Sequence, residues 1–406
     1  MPNTHQEAEM TTAGRFTLGT SLGILAMCLL LIAGCGNCAA EERFDGQAAG
    51  QGAIHVDQRV PILSIGTADG AEWETFSRIA GAVRLSTGTV VVAERNTSEL
   101  RYFDARGAHL KSVGGRGEGP EEFGFLYGMW KQAGDSLGAY DGAYQRLAIY
   151  GPAGEFVRSI PIETAVSLGR PTVLSQFADG TWLVANAPSG RLPFDGGLIE
   201  GSVWTVARYS RDGRLLNTIT GVRESTRWAH GLAGIPATPY LPFSVGIGVI
   251  AADAEYVYVG DGTAPTIARW GSSGDDSLAM QWDAPHRVVS SRDMQRYRDE
   301  RSTPSRDDNP EAWRQYLREV PFPDSMPVYT RALVDALGCV WIRRFDPWGE
   351  GVSVWDVLSR EGVGMGEVRL VNLEVLEIGG DYILGVERDD LDVPSVVLFP
   401  VVREVP

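Results

Sequence analysis

The sequence is short of cysteine, of histidine and of positive charge, and each shortage closes off a class of protein. Lysine and arginine total 36 against 52 aspartates and glutamates, a formal charge of −16. A nucleic-acid binder needs a basic footprint for the phosphate backbone, and adsorption to anionic lipid needs one too, so neither partner is expected. The 4 cysteines and 5 histidines show no metal-ligand spacing. No G-x-S-x-G, H-E-x-x-H or G-x-x-x-x-G-K-S/T motif occurs. The one long apolar run, at 22–34, is too short for a comfortable membrane span.

That run, LGILAMCLLLIAG, has the length of a signal-peptide core. It leads into Ile32-Ala33-Gly34-Cys35, which resembles the lipobox of bacterial lipoproteins. The resemblance implies cleavage before Cys35 and a diacylglycerol on its thiol. Gly36 stands where an aspartate would signal inner-membrane retention, which implies the outer membrane. Glu7 and Glu9 are unusual in a signal peptide, and translation from Met10 would remove both. Maturation would leave Cys38 and Cys339, which form no disulfide framework. The expected organisation is a signal peptide at 1–34, a lipidated Cys35 with a small, polar, flexible tether to 57, and one domain over 58–406. The lipid would be its only contact with the membrane.

The domain is rich in short apolar segments punctuated by glycine and aspartate turns, the pattern of an all-β fold. A unit recurs: AVRL, turn STG, TVVVAE, loop RNTS, ELRYFD, turn ARGA, HLKSV. Six imperfect copies at a period of roughly 40 to 60 residues predict a β-propeller of four-stranded antiparallel blades. The last copy holds only three strands, whereas RVPILSIG at 59–66 is an orphan strand ahead of the first. Pairing the two would complete the sixth blade and close the ring. TVVVAERNTSELRYFDARGAHLKSVG and the C-terminal IGGDYILGVERDDLDVPSVVLF resemble the bacterial secreted six-bladed β-propellers related to NHL repeats, over about residues 59 to 402. The glycine-rich KSVGGRGEGPEEF at 111–123 is then a link between blades. A phosphate loop would open a helix, and here a proline and a strand follow.

Meander topology sorts the loops by parity. The turns between strands one and two, and between three and four, fall on one face and are short. Every elaborated segment falls on the other: the 111–123 link, the loop at 187–202, the aromatic link at 222–243 and a charged insert at 287–326. Loops that grow usually do so where binding occurs, so the long-loop face is the expected site. The insert predicts two helices, one opened by Ser290-Ser291-Arg292-Asp293 and one by Asn309-Pro310-Glu311, the latter with a Trp313, Tyr316, Leu317 stripe. That stripe is expected to pack on the propeller rim, or to form a lid over the channel mouth.

Six residues end the second strands on this face: Glu94, Asp141, Asn186, Asp261, Arg343 and Glu387. Side-chain oxygens of Glu94, Asp141, Asn186, Asp261 and Glu387 could converge on a calcium ion, or could simply cap hairpin loops. Lactonase-type propellers hold calcium with such residues, so the resemblance implies a calcium-dependent hydrolase or lyase as the alternative activity. Arg343 would suit an anionic group or simply a salt bridge to a neighbour, and Trp228 with His230 would touch a ligand or serve as structural packing. The leading expectation is a monomeric, non-catalytic binding or scaffold module for a protein, peptide or glycan partner.

Overall fold

The structure, a computed structural model, describes residues 54–189, 197–232, 239–304, 309–349 and 351–403. Cys35, Cys38 and most of the tether lie outside the described residues. Six antiparallel sheets form in chain order, each a meander from the axis outward. Blade 1 consists of Ile79–Arg84, Val90–Glu94, Glu99–Phe103 and His109–Gly114. Blades 2 to 6 occupy 126–161, 170–223, 249–281, 329–371 and 374–403. The fold is a six-bladed β-propeller.

Burial explains why its strands read as they do. The second strands are flanked by strands on both edges and by blades on both faces, so Val90–Glu94 and Leu137–Asp141 are buried at every position. The outermost strand His109–Gly114 instead alternates half-buried and exposed, the period-2 signature of one covered face. Six apolar layers fill the six gaps between neighbouring blades, each drawing on both. The short turns between first and second strands of blades 1, 3 and 5 place Gly88, Gly180 and Gly338 at φ +86°, +80° and +85°. Only glycine adopts that backbone without strain.

Closure occurs as the orphan strand requires. Leu63–Ile65 pairs antiparallel with the last strand, Pro394–Arg403, in the register Leu63↔Leu398, Ser64↔Val397, Ile65↔Val396. A second short strand, Ile54–Val56, extends the same edge through Ile54↔Arg403 and Val56↔Val401. It falls inside the stretch expected to be tether, which is therefore ordered at its end. Ile54 and Val56 enter the layer between blades 5 and 6, whereas Leu63 and Ile65 enter that between blades 6 and 1. The closing segment thus seals both faces of the last blade.

The 111–123 link is a pinned loop. Phe123 is fully buried in the layer between blades 1 and 2, and the Arg146 guanidinium donates to the carbonyls of Glu118, Gly119 and Glu122. Its glycines let the chain turn back rather than cradle an anion.

Candidate functional site: a capped face and an axial cavity

The six strand-end residues do not act as one set. Glu94 is buried, and its carboxylate accepts from the backbone N–H groups of Ser77, Arg78 and Asn96 and from the Ser77 hydroxyl, at 3.0–3.2 Å. Asp141 does the same in blade 2, accepting from Gly124, Phe125 and Ala143 N–H at 3.0–3.1 Å, with Arg146 Nε at 3.5 Å. Both tie the entering chain to the second strand, so their lone pairs are occupied. Asn186 donates to the Thr205 carbonyl at 3.2 Å and accepts from the Tyr209 hydroxyl at 2.9 Å. Exposed Asp261 folds onto the N–H and hydroxyl of Thr263. Among the described residues, no three His, Cys, Asp or Glu side chains stand together as a metal-ligand set. Capping of a loop accounts for Glu94, Asp141 and Asp261, and a bond across its own blade for Asn186.

Glu387 differs, because burial raises its carboxyl pKa. A raised folded-state pKa means the proton is held more tightly in the folded chain. The ionised form then costs stability above the ordinary glutamate pKa, and the cost disappears as pH falls below it. Glu387→Gln should raise the melting temperature slightly at pH 7, on the order of 1 °C, and not at pH 4. Calorimetry at the two values checks this.

The elaborated loops do assemble. The helices α1 (Ser291–Glu300) and α2 (Pro310–Glu319) form where the caps place them. Ser290 and Asp293 exchange the two bonds of a capping box, and the Asn309 side chain accepts from the N–H groups of Glu311 and Ala312. A seventh apolar cluster gathers Tyr297, Tyr316, Leu317, Val320 and Met326 of the insert with Phe243 of the aromatic link. Trp228, Trp313, Phe345 and Trp348 pack against it. Trp228 and His230 lie 5.6 and 5.5 Å from the Tyr316 ring. Gly197–Ile199 and Arg227–Ala229 pair as a two-stranded sheet that joins the blade 3 loop to the same link. The α2 stripe therefore packs on other long-loop elements, and Trp228 and His230 belong to that small core. By strand parity all of these elements lie on the long-loop face, over blades 3 to 5.

A cavity lies elsewhere, along the axis of the ring. About 700 Å³ of space runs between the innermost strands of all six blades and reaches the short first turns at Asp253 and Asp335. None of the eight candidate residues lines it. Small residues such as Ala80, Gly81, Gly128 and Ala252 are part of its wall. Five of the six innermost strands also carry a register shift, at Ala80, Tyr127, Leu174, Thr330 and Leu376, that re-aims the wall locally.

The carboxylates lining the cavity are all paired. Glu377 holds Lys131 at 3.2 Å, Asp253 holds Arg360 at 3.3 Å, and Asp335 holds Arg403 at 2.8 Å. Arg331, in the middle of Tyr329–Val334, has no ion pair or hydrogen bond among the described residues. Desolvation lowers its pKa, opposed by Glu374 and reinforced by Arg343, its register partner on the neighbouring strand. Sequence reasoning passed over Arg331 because YTRALV reads as an ordinary strand. The available signal was an arginine in mid-run on an innermost strand, Tyr329–Val334.

No family model and no curated protein matches the sequence. Among solved structures the chain is similar to a Bacteroides fragilis protein described as exported, at 13% identity and TM-score 0.48, covering 87% of this chain and 96% of that one. It is similar to a member of the DUF4221 family from Bacteroides vulgatus, at 11% identity and TM-score 0.49, covering 86% and 99%. It is also similar to virginiamycin B lyase from Staphylococcus aureus, at 10% identity and TM-score 0.39, covering 85% and 99%.

Proposed function

We propose that the protein is a lipid-anchored binding module of the bacterial envelope, held at the outer membrane through Cys35 and presenting its capped long-loop face to a protein, peptide or glycan partner. The observation that carries this reading is the cap. Two inter-blade links and one hairpin loop share one aromatic core, and a second hairpin loop pairs by a short strand with the first link, where independent surface loops would each have stayed short and separate. A rigid platform of this kind presents the exposed faces of α1 and α2 without paying to order them on binding. The lipobox-like segment supplies the anchor in this reading, and the tether lifts the ring from the bilayer.

Two results test it in the full chain expressed in a diderm bacterium. Cys35→Ser should move the protein from the membrane fraction to the soluble fraction. A photo-crosslinking residue at exposed Arg314 on α2 should trap one envelope partner. The same probe at Leu110, on the outer strand of blade 1, should not. Equal labelling from both positions, or a rise in melting temperature on adding calcium, would favour other readings, the second of them the calcium-dependent hydrolase or lyase.

A further inference from the structure

We infer that the axial cavity is a second, separate binding site, for a small organic carboxylate whose anionic head pairs with Arg331 and whose apolar body fills the channel. It does not depend on the capped face. The cavity's size falls within the range of small-molecule sites, roughly 300–1,000 Å³. Its walls mix aliphatic and aromatic side chains, such as Leu174, Ile250, Leu376 and Trp130, with charged groups, so they offer an apolar body both burial and polar anchoring points.

Charge pairing then singles out one group. Lys131, Arg360 and Arg403 are each bound to a carboxylate that lines the cavity, which leaves no lining carboxylate for Arg331. A guanidinium stays charged and offers five N–H donors in a planar fork, which matches a carboxylate edge-on. Arg331 is half-buried in the cavity wall, and Glu374, which favours its charge, makes no ion pair or hydrogen bond with it among the described residues, so its N–H donors are available to a ligand. Arg343 beside it adds positive potential and no compensation. A purely structural arginine would be expected to reach a carbonyl or carboxylate, as Arg101 does by donating to the carbonyls of Glu72 and Thr75. Arg331 reaches none among the described residues, and the space in front of it is open.

The test uses the full-length protein with 2-naphthoate as probe and the uncharged 2-naphthamide as its isostere. Binding is read by isothermal titration and stability by the melting temperature. Naphthoate should bind tighter than the amide, and Arg331→Met should weaken naphthoate by about 10–100-fold while leaving the amide unchanged. Arg331→Met should melt no lower than the wild type without ligand, because the half-buried guanidinium makes no hydrogen bond or ion pair among the described residues. Equal affinity for acid and amide would overturn the assignment. So would unchanged naphthoate affinity in Arg331→Met, or a lowered melting temperature in that variant, which would mark a structural arginine.

Discussion

The double substitution Leu63→Asp, Ile65→Asp should lower the melting temperature by at least about 10 °C and make unfolding less cooperative. Both side chains are almost fully buried, at 7% and 3% exposure, in the layer between blades 6 and 1. Two carboxylates placed there have no partner, and each isolated buried charge costs several kcal/mol. Each kcal/mol is worth roughly 2–4 °C in a large domain. The substitutions also strip the covering strand from Pro394–Arg403, leaving an unpaired edge on the blade that closes the ring. Ser64→Asp is the control. Ser64 lies between the two and faces solvent, so the period of the strand predicts a near-neutral effect. Thermal melts of the two variants decide the point, and similar melting temperatures would mean that the ring does not need this strand.

Asp335→Ala should be the most damaging single substitution in the cavity wall, costing about 3–5 kcal/mol. The carboxylate is wholly buried and holds four donors. One oxygen accepts from the N–H groups of Leu337 and Cys339, at 2.9 and 2.8 Å. The other accepts from Trp341 Nε1 and Arg403 Nη2, at 2.9 and 2.8 Å. Truncation orphans two backbone donors and an indole N–H, and leaves the Arg403 guanidinium, which keeps its bonds to the carbonyls of Gly379 and Gly380, without its counter-ion. The loss is mostly the penalty for stranded partners rather than the worth of the bonds. Asp335→Ala combined with Arg403→Met should therefore be less damaging than the sum of the two single changes, because no buried cation is left unpaired. Urea denaturation of the four proteins measures the coupling, and simple additivity would contradict the network.

Blade number, strand count and closure could be read from the chain because each rests on local pattern. A four-strand unit repeats, its turns carry glycine where φ must be positive, and a three-strand remainder needs one more strand. The helix starts were equally legible, since Ser290 and Asn309 bond to donors two or three residues away. The order of the 54–56 segment was not, because three residues form a strand only when an edge exists for them to pair with. Residues ending the second strands were located on the right face, but Glu94 and Asp141 were already committed to backbone donors that sequence spacing cannot reveal.

By itself the sequence determined the architecture and the segregation of long loops to one side, because hydrophobic period, turn chemistry and strand parity act over a few residues. Tertiary structure alone decided where the loops share a core and which charges are left over. Those outcomes depend on groups far apart in the chain, Trp228 against Tyr316 and Asp335 against Arg403, meeting in a geometry no local pattern encodes. Arg331 stands out only after the lining carboxylates Glu377, Asp253 and Asp335 have each found a different cation.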